Sequence, residues 1–384
     1  MKRIALITWY NSINYGTCLQ CIALSRYLKK RGYNVVVPDK LNYYSIADLG
    51  DLFRRVKKKL VSKLCSIHFI NNVESVPDYI GKGYIERLKR VNDTIENELD
   101  VIQIEKRKDF EKLNDVIDIF LTGSDQIWNP NYLSSAMMLS FVNDEKKKIA
   151  YASSIGVDRI PESLVKVYKR YLSRFSYIGV REKSAELELK RYIKNVPIDT
   201  VLDPTFLLKK NDYIEMAYKA TIPQNIKNSK GYIACYFIGE TIDWQSDIVR
   251  FAEENNLDIV FCLSESKIIP DQGIIFTEAG PYDFLWILLH GTYVVTDSFH
   301  ASAISINLNK EVIVYKRFKD EDKNSQNSRI KHLLNMFDMS TRIVSKDNSI
   351  FHIANKKIDY NKVNMILQQK RKKSENFIQK ILED

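Results

Sequence analysis

Short, wholly apolar runs alternate along this chain with longer segments whose apolar residues return every three or four positions. The first run, Lys2-Arg3-Ile4-Ala5-Leu6-Ile7-Thr8, is too short for a helix and lacks the polar alternation of a half-exposed strand. It predicts a parallel strand buried on both faces. Trp9 to Gly16 is a loop rich in Asn and aromatics. From Thr17 to Lys30, Leu19, Ile22, Ala23 and Leu28 keep helical spacing, and Arg31-Gly32 supplies a stop. Tyr33 to Val37 is the next strand, which closes a βαβ unit.

The alternation continues with strands expected at 116–122, 148–152 and 178–180, and Leu202-Asp203-Pro204-Thr205 closes the first half. A second set of strands follows at 231–238, 257–263, 294–296 and 310–315, with helices over 244–256 and from Pro281, Asn327 and Tyr360. Two such sets predict an α/β fold of two Rossmann-like, doubly wound domains facing a cleft. The expected N-terminal domain covers 1–208, and the C-terminal domain covers 209–384 with a C-terminal helical tail.

One segment breaks the alternation. Leu49, Leu52, Phe53, Val56, Leu60, Val61 and Leu64 recur at helical steps, with Arg54, Arg55, Lys57, Lys58, Lys59 and Lys63 between them. This predicts a basic helical insertion at about 48–112, including a polar, helix-like stretch from Tyr79 to Lys112. Its 49–64 face either covers the core or touches an anionic membrane surface or lipid phosphate.

The chain has 384 residues, enough for two cores, and a net charge of +10. That charge favours a phosphorylated or polyanionic partner. Nucleic acid is not expected, because no zinc-finger spacing, RRM signature or basic stripe is visible. The five cysteines show no framework spacing, and no signal peptide opens the chain. A cytoplasmic protein with reduced thiols is expected, with peripheral contact at the inner membrane face as an option. Cys18 and Cys21 read as helix packing, since no second ligand pair accompanies them.

The chemistry-bearing residues gather where strands end. Val294-Val295-Thr296 runs into Asp297-Ser298-Phe299-His300-Ala301 and then an apolar helix. In open α/β sheets, ligands sit at the carboxyl ends of strands, so His300 stands where a reacting group would. The ordinary alternative is a loop histidine beside a capping Asp297 or Ser298. Gly123-Ser124-Asp125-Gln126-Ile127-Trp128-Asn129 follows another strand. Gln126, Trp128 and Asn129 suit a sugar, whose apolar face stacks on an aromatic ring and whose hydroxyls need amide partners; the ordinary alternative is an elaborate turn with a buried Trp. Arg181 ends a third strand, where a guanidinium fork suits a carboxylate or phosphate, the ordinary alternative being a plain ion pair. Asn14, Gly16 and Thr17 open the first helix, whose N–H groups favour an anion.

Seven of these pieces stand in an order and spacing that resembles the polysaccharide pyruvyl transferase family. They are Asn14-Tyr15-Gly16 with Leu19-Gln20, the 123–129 stretch, Ser153-Ser154-Ile155-Gly156, Arg181-Glu182-Lys183-Ser184, Leu202-Asp203-Pro204-Thr205, Thr296-Asp297-Ser298-Phe299-His300 and Asn327-Ser328-Arg329-Ile330. The match covers roughly 1–335 and leaves out 48–112. Family members usually carry Gly after the His, where this chain has Ala301.

The resemblance implies a glycosyltransferase-B-like architecture and transfer of pyruvate from phosphoenolpyruvate to two sugar hydroxyls as a cyclic ketal. Such a reaction serves cell-surface polysaccharide (exopolysaccharide or capsule) biosynthesis, on a glycan acceptor that is free or lipid-linked. It implies no redox cofactor or metal; phosphoenolpyruvate is a substrate. His300 would be the general acid or a phosphate ligand, because imidazole titrates near neutrality. Asp125 would meet acceptor hydroxyls, with a role as base. Arg181 and Arg329 would hold carboxylate and phosphate, and Asn14, Gly16, Thr17, Ser124, Gln126, Trp128, Asn129 and Ser298 would line the site. Two alternatives stand: a nucleotide-sugar glycosyltransferase of the same fold, with Glu278 or Asp283 on the ribose, and a non-catalytic scaffold of capsule assembly.

Overall fold

The computed structural model describes residues 2–39, 78–239, 244–263, 270–318 and 326–383. The basic helix expected from 48 to 70 lies outside them. Two parallel sheets organise the chain. The first contains β1 (Arg3–Ile7), β2 (Asn34–Pro38), β3 (Val101–Ile102), β4 (Ile119–Thr122), β5 (Lys147–Ser153), β6 (Tyr177–Val180) and β7 (Ile198–Thr200), in the order β3-β2-β1-β4-β5-β6-β7. The second contains β8 (Tyr232–Tyr236), β9 (Asp258–Cys262), β10 (Ile274–Phe276), β11 (Tyr293–Thr296) and β12 (Glu311–Val314), in the order β10-β9-β8-β11-β12. In each sheet the order reverses beside the first strand, between β1 and β4 and between β8 and β11. These are the two switch points where doubly wound folds bind ligands.

Helices cover both faces of each sheet. They are α1 (Tyr15–Lys29), α2 (Asp78–Glu98), α3 (Arg107–Val116), α4 (Glu162–Leu172), α5 (Lys183–Tyr192), α6 (Lys210–Ala217), α7 (Gln224–Lys227), α8 (Gln245–Asn255), α9 (Pro281–His290), α10 (Phe299–Asn307), α11 (Asn327–Met336), α12 (Ile350–Ala354) and α13 (Tyr360–Glu383). Among the described residues no helix is long and apolar enough to cross a membrane.

Strand period decides which residues meet. Ile4 and Leu6 of β1 join Tyr236 of β8 and Val294 of β11 in one apolar cluster that runs between the sheets. Ala5 and Ile7 face the other way, onto Phe120 and Trp128. Tyr15, at the start of α1, bolts the two halves together. Its hydroxyl donates to the carbonyls of Leu263 (3.0 Å) and Ala279 (2.8 Å), and its ring stacks on Phe284 at 4.9 Å.

Two expectations need correction. Residues 101–102, expected inside the insertion, pair with β2 as the edge strand of the first sheet. A two-residue strand has no periodicity to read and exists only through its neighbour. The C-terminal tail, assigned to the second domain, starts there as α13, where Tyr360 Oη donates to Lys310 O, and then crosses onto the first half. Ser374 Oγ accepts the Leu202 N–H at 2.9 Å, and Arg371 donates to Phe206 O at 2.6 Å and Leu208 O at 3.3 Å. Its buried residues Val363, Leu367, Ile378, Ile381 and Leu382 need an apolar partner, and the large cluster between the sheets provides it.

Candidate active site

Both switch points open onto one cavity of about 550 Å³. Trp9, Asn14 and Thr17 come to it from the β1–α1 turn, and Asp125 and Gln126 from the turn after β4. Ser298 and His300 reach it from the β11–α10 turn, Arg317 from beyond β12, and Arg329 from α11. Each strand-to-helix turn is held by its own cap. Asn14 Oδ1 accepts the Gly16 N–H at 3.1 Å, and Ser298 Oγ accepts the Ala301 N–H at 3.4 Å. Two helix N-termini therefore border the same space, and their dipoles favour an anion there.

His300 is buried in the first turn of α10 and fixed from three sides. Gly16 presses against it: a Cβ at that position would lie 2.5 Å from the His300 Cβ and Nδ1. Its Nε2 lies 3.4 Å from Arg181 Nη1 and 3.6 Å from Asp203 Oδ2. Arg181 in turn pairs with Asp203 and Glu182, each at 3.0 Å, and stacks 4.2 Å over the Phe299 ring. Asp203 also accepts from Ser124 Oγ at 3.0 Å and from the Thr205 N–H at 3.0 Å. Burial pushes the Asp203 carboxyl up, but His300, Arg181 and the Thr205 N–H outweigh it and hold it far below the usual carboxylate range.

Asp125 sits in the left-handed region (φ 71°), which non-glycine residues rarely adopt. Gly123 just before it has φ 118°, and a Cβ there would strike the Tyr151 carbonyl at 2.0 Å. The turn thus aims Asp125 at the cavity. Its Oδ2 accepts from Thr17 Oγ1 at 3.0 Å and its Oδ1 from the Gln126 N–H at 2.8 Å. Burial raises its carboxyl, and the charges of His300, Arg181 and Arg329 with that N–H more than reverse the effect. Asp125 is accordingly a carboxylate at neutral pH.

Arg329 is buried, and burial beside Arg181 and Arg317 pushes its guanidinium down to about 10. It remains a cation at neutral pH. Gln126, with its amide oxygen turned to this group, accepts Nη1 and Nη2 at 2.9 and 3.1 Å. Arg317 Nε lies 3.6 Å from Asp297 Oδ2, whose two oxygens also accept the N–H groups of Ile238 and Gly239 at 2.8 and 2.7 Å.

Not every expected site residue reaches the cavity. Trp128 is fully buried, donates from Nε1 to Met137 O at 2.9 Å and packs edge-on against Phe175. It is a core residue with no free face for a sugar. Asn129 is also buried: its Oδ1 caps the Asn131 N–H at 3.0 Å and its Nδ2 donates to Tyr132 Oη at 3.1 Å. Ser124 serves Asp203. Arg181 lies behind His300, not on the cavity wall, and its two carboxylate partners hold it there. Gly16 acts through the room it leaves for His300.

Other residues at the site had no role assigned from sequence. Gln20 Nε2 donates to Thr8 Oγ1 (3.2 Å), Trp9 O (2.8 Å) and Thr17 O (3.0 Å), while its Oε1 accepts the Ser124 N–H, so one side chain clasps both turns of the first switch point. Asp203, Arg317, Trp9 and Tyr132 complete the set. Only position after a strand hinted at Trp9 and Arg317. Ala301 is helical and buried, so no glycine-specific geometry is needed there. Asp283, considered for a ribose, is already occupied: it accepts the N–H groups of Gly280 (2.8 Å) and Thr221 (2.7 Å) and pairs with Arg90 at 2.9 Å.

Facing switch points around a polar cavity define a two-domain Rossmann-like protein with its candidate site between the halves. The model of the family described as polysaccharide pyruvyl transferase matches residues 14–317, and the chain belongs to that transferase family. No curated protein matches the sequence. Among solved structures, UDP-GlcNAc 2-epimerase from Neisseria meningitidis bound to UDP-GlcNAc is 10% identical over 100% of both chains, with a TM-score of 0.55. The S. aureus MnaA–UDP structure is 14% identical over 96% of this chain and 91% of that one, with a TM-score of 0.49. A UDP-glucosyltransferase from Polygonum tinctorium is 9% identical over 100% and 99%, with a TM-score of 0.46. The first of these likenesses bears on fold alone, and it agrees with the glycosyltransferase-B-like architecture.

Proposed function

We propose that this chain moves pyruvate from phosphoenolpyruvate to two hydroxyls of a sugar as a cyclic ketal, in the assembly of a surface polysaccharide. The observation that carries the reading is the convergence of His300, Arg317, Arg329 and two helix N-termini on one cavity that also holds the Asp125 carboxylate. A donor with a phosphate and a carboxylate needs at least two cationic partners, and the developing charge needs a fixed acid.

His300 protonates the methylene carbon of the enol, which becomes the methyl group of the ketal. The cation at C2 is attacked by the first sugar hydroxyl, whose proton passes to Asp125. Arg329 and Arg317 hold the carboxylate and phosphate; phosphate then leaves with the C2–O bond pair, and the second hydroxyl closes the ring as its proton passes to the His300 imidazole, which gave up its own in the first step. Arg181 and Asp203 do not touch substrate in this scheme. They set the ring plane of His300, as an orienting carboxylate does for other catalytic imidazoles. Asp125, with its lowered carboxyl, is a weak base that acts once the hydroxyl is already bonding to C2.

The test is release of inorganic phosphate from phosphoenolpyruvate in the presence of candidate glycans, with calorimetry of phosphoenolpyruvate and of UDP-sugars alongside. Phosphoenolpyruvate should bind, and His300→Ala should lower turnover by about 10²-fold or more with the fold intact by circular dichroism. Tight UDP-sugar binding with no phosphoenolpyruvate binding would favour sugar transfer instead.

A further inference from the structure

The cavity has a second wall that the donor chemistry leaves unused. Trp9, half-buried directly after β1, and Tyr132, exposed after β4, both line it, with ring centroids 5.5 Å apart and planes tilted by 51°. Trp9 packs against the core with part of its ring and Tyr132 is exposed, so neither is fully buried as Trp128 is. The Trp9 carbonyl accepts from Gln20, which holds the backbone behind that ring, and Tyr132 Oη accepts from Asn129, which holds the tip of the other. Tyr132 is also tied to the donor side. With its oxygen on Arg329, the Gln126 amide donates to Tyr132 Oη at 3.2 Å. Asn11 and Ser12 line the same cavity.

We propose that Trp9 and Tyr132 form the acceptor subsite, a tilted aromatic wall that stacks the C–H face of a pyranoside and turns its hydroxyls toward Asp125. This deepens the pyruvyl-transfer reading and rests on it. Two rings tilted against each other offer an angled apolar face on which the C–H face of a puckered sugar ring can rest. The Gln126 bridge couples this wall to the donor: a guanidinium drawn onto phosphoenolpyruvate pulls the amide that positions Tyr132.

Saturation-transfer NMR with methyl galactoside, glucoside and mannoside as probes, with phosphoenolpyruvate present, tests the assignment. At least one glycoside should bind the wild type through its ring C–H protons. Trp9→Ala should weaken that binding by about tenfold, Trp9→Phe should restore most of it, and phosphoenolpyruvate affinity should move by less than about twofold. Binding of all glycosides equally by Trp9→Ala and wild type, or of none by the wild type, overturns the subsite while phosphoenolpyruvate binding upholds the donor reading. Failure of the wild type to bind phosphoenolpyruvate by calorimetry overturns the donor reading itself.

Discussion

The Arg329 guanidinium is buried beside Arg181 and Arg317 and has no ion-pair partner among the described residues. Its fall from 12.5 to about 10 corresponds to roughly 3 kcal/mol of charge penalty. For a cation the sign is clear: with the folded value below the unfolded one, the penalty is fully present at neutral pH and fades only as pH rises through 10. Arg329→Met should therefore raise the thermal midpoint while weakening phosphoenolpyruvate binding by more than about tenfold. Phosphoenolpyruvate should in turn stabilise the wild type and not the variant, a difference readable by scanning fluorimetry. A lower midpoint in Arg329→Met would mean that the charge is already compensated. Arg181 shows the opposite arrangement, with two carboxylates in contact and its own value raised. From sequence the two arginines look alike, and only their neighbours separate a free cation from a paired one.

At the scale of elements, three strand ends with their turns build the site, two of them leading into helices, and each was legible from an apolar run followed by a polar turn. The contact between two of them was not. Gly16 of α1 abuts His300 of α10, two elements nearly three hundred residues apart in sequence, and the space for the imidazole is the missing Cβ. Gly16→Ala should cost at least about 1 kcal/mol of stability through overpacking and should depress turnover far more than that, because the ring must shift. Chemical denaturation gives the first quantity and phosphate release the second. A variant of normal turnover would remove Gly16 from the positioning of His300. The cap at Asn14 that starts α1 is readable locally; its role beside His300 follows only when the two sheets face each other.

At the scale of the molecule, α13 and Tyr15 tie the halves into one body. Arg371 donates to Phe206 O, Leu208 O and, at 3.2 Å, Asn307 Oδ1 of α10, so the last helix reaches both the end of the first half and the helix that carries His300. Arg371→Met should lower the urea midpoint by the equivalent of about 1–3 kcal/mol and broaden the transition as the halves uncouple. An unchanged, single transition would show that the apolar face of α13 suffices. The 49–64 stretch, expected as a basic helix, lies outside the described residues.

Periodicity along the chain determined the α/β class, the two doubly wound halves and the strand ends where His300, Asp125 and the 14–17 turn stand. Those features are local: an apolar run, a polar break and a cap each depend on a few adjacent residues. Tertiary structure decided everything that depends on which way a side chain faces across a sheet. Trp9 and Trp128 both follow strands in polar, Asn-rich turns, yet one lines the cavity and the other fills the core. It also created the edge strands β3 and β10, which exist by pairing and not by pattern, and it turned the C-terminal tail back onto the first half. Pairing partners, facing and return paths are long-range properties, set by which apolar surfaces find each other when the two sheets close on one cavity.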